Sequence, residues 1–146
     1  MLFKPCLAGL AVVWLLGAAP AFASICQGKS MTQDETVDAI SASPGCDGAM
    51  KTFTDCAYSA SGDVLLGAAV EKKCERDFLG RLGAAQKRAY QRQMQVCDHK
   101  YDNESGTMYR SFSAFCRAEV AQRYSRQARK ASGSKALGSK ASGSSR

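Results

Sequence analysis

Cys97, Asp98, His99, Asp102 and Glu104 fall within eight residues at the start of the segment CDHKYDNESGTMYRSFSAFC, which runs from Cys97 to Cys116. A histidine among carboxylates is the raw material of general-base chemistry. A cysteine beside it suggests a thiolate nucleophile, and several carboxylates in one turn suggest a divalent cation. Each chemistry needs partners that the rest of the chain must supply. His99 is the single histidine, and no G-x-S-x-G elbow occurs for it to activate. The carboxylates lack the twelve-position spacing of a calcium loop, and no short Cys-x-x-Cys pair is present to seed a zinc site. Asp98 and Asp102 are four apart on one helical face, as are Glu71 and Glu75. Such pairs read as solubilising charge on an exposed face. The expectation is that the chain has no catalytic residue, metal or cofactor, and that His99 lies on the surface.

The cysteines reinforce this. Cys97 and His99 with nearby tyrosines are similar to the catalytic helix of secreted phospholipases A2. Those enzymes follow the histidine with an aspartate and precede it with a glycine-rich calcium loop, whereas here Lys100 follows and no such loop precedes. Six cysteines, Cys26, Cys46, Cys56, Cys74, Cys97 and Cys116, lie beyond the N-terminal apolar stretch. An even number in an exported chain reads as three disulfides, with about fifteen possible pairings. Paired sulfurs offer no thiolate.

Export is read from residues 1–23. Lys4 precedes an apolar core, LAGLAVVWLLGAA, and Ala21-Phe22-Ala23 fits a small-x-small cleavage site before Ser24. This predicts a signal peptide and a periplasmic or secreted protein. The 123 residues from Ser24 onward are enough for one domain. The formal charge of +7 is unevenly placed. Residues 24–125 carry thirteen acids and thirteen bases, whereas Arg126, Arg129, Lys130, Lys135, Lys140 and Arg146 have no accompanying acid. The repeat KASGS, KALGS, KASGS has too little apolar side chain to repay the entropy of ordering. Residues 129–146 are therefore expected to be a disordered basic tail, dispensable to the fold from Ala131 onward and at most in weak contact with anionic surfaces. Specific nucleic-acid binding is not expected, because residues 24–128 show no basic stripe interleaved with aromatics.

The elements that must position the 97–116 segment follow from periodicity. Thr32 and Glu35 form a capping-box pattern ahead of Val37 and Ile40. Pro44-Gly45 ends that helix, and Cys46, Met50, Phe53 and Cys56 mark the next. Asp63 is the expected cap of a third, whose stripe is Leu66, Val70, Cys74, Phe78 and Leu82. Gly67 within it offers room for a neighbouring helix. Tyr90, Met94, Cys97 and Tyr101 define a fourth face starting near Ala84. After the turn DNESG, a last helix from about Thr107 carries Met108, Phe112, Phe115, Cys116, Val120 and Tyr124. No segment alternates as a strand does. The fold class is all-α: a small disulfide-stapled bundle of four or five helices over residues 24–128.

The second half has a further likeness. Ala85-Gln86 at a helix start, Cys97 at its end, the loop Ser105-Gly106-Thr107-Met108, Cys116, and Arg123 beyond it together resemble the LprI-like family of periplasmic lysozyme-inhibitor domains, over roughly residues 84–125. Ala89-Tyr90 and Gln93 stand where that family has tryptophan and then arginine. The resemblance implies a non-enzymatic binding protein whose partner is a lysozyme or another cationic protein. It also implies a Cys97–Cys116 disulfide, which a tight turn between two antiparallel helices would permit. For the other four cysteines, Cys26–Cys74 and Cys46–Cys56 are the expected pairs. Asp98, Asp102, Glu104 and Tyr109 are the candidate binding residues, because a stapled corner would present them in a fixed arrangement. The competing expectation is a structural or stress protein of the cell envelope whose basic tail touches an anionic polymer or membrane surface.

Overall fold

The computed structural model describes Cys26 and residues 31–142, with side chains described as far as Ser134. The expected signal peptide lies outside the described residues. Five α-helices follow in order: α1 Gln33–Ala42, α2 Gly45–Cys56, α3 Asp63–Glu75, α4 Ala84–His99 and α5 Thr107–Ser142. A short 3-10 helix, Leu79–Arg81, stands between α3 and α4. No strand occurs among the described residues. The all-α expectation holds, with three disulfides stapling the helices.

Local chemistry explains the boundaries. The Thr32 hydroxyl accepts from the Glu35 amide at 3.3 Å, and the Glu35 carboxylate accepts from the Thr32 amide at 2.8 Å. Both are orphan donors of the first turn. Gly45 opens α2 at φ +69°, a backbone conformation that L side chains rarely adopt. The Leu66–Val70–Cys74 row does not run on as one helix. α3 ends at Glu75, and Phe78 leaves it with an extended φ of −142°. Phe78 is buried all the same, in a different part of the core.

Two apolar clusters share α5. In the first, Ile40, Ala49, Phe53, Leu66 and Val70 meet Ala114, Ala118 and Ala121 of α5. Phe53 stacks on Phe115 with ring centroids 4.1 Å apart. Alanines on α5 let α3 come close: a Cβ built on Gly67 would sit 3.0 Å from both the Cβ and the carbonyl oxygen of Ala114. The second cluster holds Phe78, Tyr90, Met94 and Cys97 against Val120, with Cys116 and Tyr124 at its edge. α3 and α5 make the most extensive helix contact, while α4 packs mainly on a different side of α5. α5 is therefore the axis of the molecule.

The disulfides are Cys26–Cys56, Cys46–Cys74 and Cys97–Cys116, with Cα separations of 5.4, 4.5 and 5.6 Å. The last is the pair expected. The expected Cys26–Cys74 and Cys46–Cys56 pairs are corrected. Cys46 and Cys56 sit at opposite ends of α2. Ten residues of helix separate their Cα atoms by about 15 Å, beyond the ~7 Å limit of a disulfide. Each instead reaches a different segment, Cys56 to Cys26 and Cys46 to α3.

α5 continues to Ser142, past Arg129, where a disordered tail was expected to begin. Nucleation is the costly step in helix formation, and the packed half of α5 has already taken it. Arg126 and Arg129 are not tail residues in function. Both pair with Asp47 in the first turn of α2, Arg126 Nε at 2.8 Å, and Gln122 donates to the same carboxylate at 2.8 Å. Arg81 Nη1 donates to Ser132 Oγ at 2.9 Å.

Candidate functional site

Between α3, the α4–α5 turn and the first third of α5 lies an open groove of about 920 Å³. The angular spacing of helix residues creates it. On α3 residues 63, 66, 67, 70 and 74 are buried, which leaves Val64, Ala68 and Glu71 on the flank that faces the groove. On α5 one face meets α3 and another meets α4, and Ser113 and Arg117 occupy the seam between them. Gly106, at φ +119°, makes the turn that starts α5.

The floor is held by charge. The Arg117 guanidinium donates to Glu71 of α3 through Nε at 2.9 Å and Nη2 at 2.8 Å. Its Nη1 donates to both oxygens of Asp98 of α4 at 2.8 Å. One side chain thus ties three helices in a forked geometry that only arginine offers. The hydrogen bonds it donates to Glu71, and then to Asp98, hold the guanidinium pKa above its ordinary value despite its partial burial. Behind this clasp is a second cleft of about 670 Å³, where the Tyr90 hydroxyl donates to Glu75 at 2.9 Å. Burial first, and then the adjacent Glu75 carboxylate, push the Tyr90 phenol pKa up.

Asp98, Asp102, Glu104 and Tyr109 do line one groove, together with Tyr101 and Arg110. They are not equivalent. Asp98 is spent on Arg117. Asp102 pairs with His99 Nδ1 at 2.6 Å. Glu104 is exposed and makes no side-chain hydrogen bond or ion pair among the described residues. Tyr109 is half-buried in a trio of rings with Tyr101 and Phe112, centroids 5.7 to 5.9 Å apart. His99 faces solvent with its side chain 73% exposed, and the hydrogen bond to Asp102, followed by that residue's charge, raises its pKa. Among the described residues no group of three or more His, Cys, Asp or Glu could hold a metal ion. No described helix is long and apolar enough to cross a membrane.

Several residues escaped the sequence. Glu71 and Glu75 read as solvated charge, yet the Glu71 side chain is only 13% exposed and both are bonded across helices. Arg117 carried no signal of its own beyond following Cys116. Asp63 was expected to cap α3. It is instead fully buried in the first turn of that helix and accepts from the Tyr58 amide at 2.8 Å and from the Ser111 hydroxyl at 2.6 Å. It fastens the α2–α3 loop to α5.

No family model, no curated protein and no solved structure matches this chain. The descriptors signal, periplasmic, secreted and lysozyme inhibitor-like therefore have no match to rest on and are corrected to the two that the described residues display, helical and disulfide-bonded.

Proposed function

We propose that this chain is a non-catalytic binding domain whose groove receives a cationic segment of a protein partner. One observation carries the reading. A pre-shaped groove is held open by the Glu71–Arg117–Asp98 clasp and the Cys97–Cys116 bond, with the acids Asp102 and Glu104 at its rim beside the rings of Tyr101 and Tyr109. Rigid walls lower the ordering cost of binding. Lysine or arginine side chains entering the groove meet carboxylates, and tyrosine faces offer them a further attraction of about 0.5–1 kcal/mol each at exposed sites. Lys100 already takes such a position, 5.2 Å from the Tyr101 ring centroid. Three disulfides suit the domain to an oxidising compartment.

The test is an NMR titration of the oxidised protein with oligolysine and with a cationic protein, following Tyr101, Tyr109 and Glu104. Micromolar binding that weakens in Asp102→Asn/Glu104→Gln supports the reading. Binding unchanged in that variant moves the site elsewhere, and a hydrolytic activity abolished by His99→Ala overturns it. In the alternative role, contact of the basic C-terminal residues with an anionic polymer or membrane surface, the contacts come from Lys130 onward, because Asp47 already engages Arg126 and Arg129.

A further inference from the structure

The groove and the end of α5 have opposite charge. Four acids, Glu71, Asp98, Asp102 and Glu104, line the groove against two arginines, Arg110 and Arg117. From residue 130 to the end the chain holds Lys130, Lys135, Lys140 and Arg146 with no acid. The residues between those charges are alanine, serine, glycine and one leucine, so the segment is slender as well as basic. We propose that this C-terminal segment of one molecule occupies the acidic groove of a second copy.

Geometry excludes the same arrangement within one molecule. The groove is built on the first turns of α5, between Thr107 and Arg117, while Lys130, Lys135 and Lys140 lie on the far half of the same helix. At 1.5 Å per residue, Lys130 lies about 20 Å and Lys140 about 35 Å along the axis from Arg117. Because α5 carries these lysines away from its own groove, the groove that they meet is that of another molecule. The contact is heterologous, tail to groove, so a pair still has one free groove and one free tail. Assembly then continues into a filament or closes into a ring. Attraction between a basic segment and an acidic rim is sensitive to salt.

This inference rests on the groove being a site for cationic segments, and the experiment separates the two. Sedimentation velocity is measured on the oxidised protein over a concentration series, at low salt and at about 1 M salt, where the Debye length is about 3 Å. The variants are a chain ending at Ser134 and Asp102→Asn/Glu104→Gln. Circular dichroism confirms that both are folded. Association is expected for the wild type at low salt, lost at high salt, and weakened about ten-fold or more in each variant. A mixture of the two variants is expected to form a one-to-one pair, because one still has its groove and the other its tail. A wild-type monomer throughout, association unchanged in either variant, or no pair in the mixture overturns the proposal. Oligolysine that still binds the groove of a monomeric wild type leaves the cationic-groove reading standing and removes only the second copy. Oligolysine that fails to bind removes both.

Discussion

Arg117 does the work that a larger apolar contact would do elsewhere, joining α3, α4 and α5 through two carboxylates. Arg117→Ala leaves the mostly buried Glu71 without its partner. The expected loss is about 1–3 kcal/mol in a urea titration. Arg117→Lys is expected to recover only part of it, because an ammonium cannot fork to two acids. At His99 the direction of pH dependence is fixed by its partner. Its folded pKa is raised, so its pairing with Asp102 is fully present below the ordinary value of 6.5 and fades as pH climbs through the raised one. A histidine ring titration by NMR should give a midpoint above 6.5, and Asp102→Asn should bring it down. Asp47 behaves oppositely. Burial pushes its carboxyl up, but the hydrogen bonds and charges of Arg129 and Arg126 outweigh that and hold it below 3.8. The tie between α2 and α5 therefore persists at neutral pH and weakens as acid brings the pH down through that lowered value.

At the level of elements, the close approach of α3 to α5 depends on Gly67. An alanine there meets Ala114 at 3.0 Å, partly against backbone that cannot swing aside. Gly67→Ala is expected to cost about 1–3 kcal/mol, visible as a drop in thermal midpoint of several degrees. The ordinary preference for alanine over glycine in a helix works in the other direction, so a stabilised variant would mean that the two helices are not so closely apposed. α4 depends on its staple. The Cys97–Cys116 bond closes a sequence separation of 19 residues, which is worth about 3 kcal/mol in the loop-entropy model. In a Cys97→Ala/Cys116→Ala protein, hydrogen exchange should quicken in α4 before α3. Uniform quickening would show that the bundle opens only as a unit.

The whole molecule is two apolar clusters strung on one helix. The first 22 residues of α5, from Thr107 to Ala128, contribute to both clusters, and among the described side chains none beyond Ala128 belongs to either. Ending the chain at Ser134 keeps the Arg81–Ser132 and Asp47–Arg129 ties. The thermal midpoint should accordingly stay within about two degrees of the full chain. A much larger fall would show that the rest of the helix packs on the body. Non-reducing peptide mapping checks the global staples and should recover Cys26–Cys56 and Cys46–Cys74 as well as Cys97–Cys116.

The local rules in the sequence reached far. The capping box at Thr32 and Glu35, the break at Pro44-Gly45, the starts near Ala84 and Thr107, and the burial of Tyr90, Met94 and Cys97 all follow from spacing and backbone chemistry within one segment. The end-to-end separation of Cys46 and Cys56 was legible in the same way, because both lie on one predicted helix, and it already excluded their pairing. What the sequence could not supply were relations between segments. Glu71, Asp98 and Arg117 each look like an ordinary surface charge, and become a clasp only because three helices converge with those flanks turned together. Asp63 looks like a cap, and is buried only because Ser111 arrives 48 residues later with a hydroxyl to meet it. Arg126 and Arg129 look like the start of a tail, and join the body only because α2 presents Asp47 beside α5. Periodicity specifies which face of a helix is apolar. Which charge lies across from which is decided by the packing of faces from distant parts of the chain, and that is a property of the tertiary structure alone.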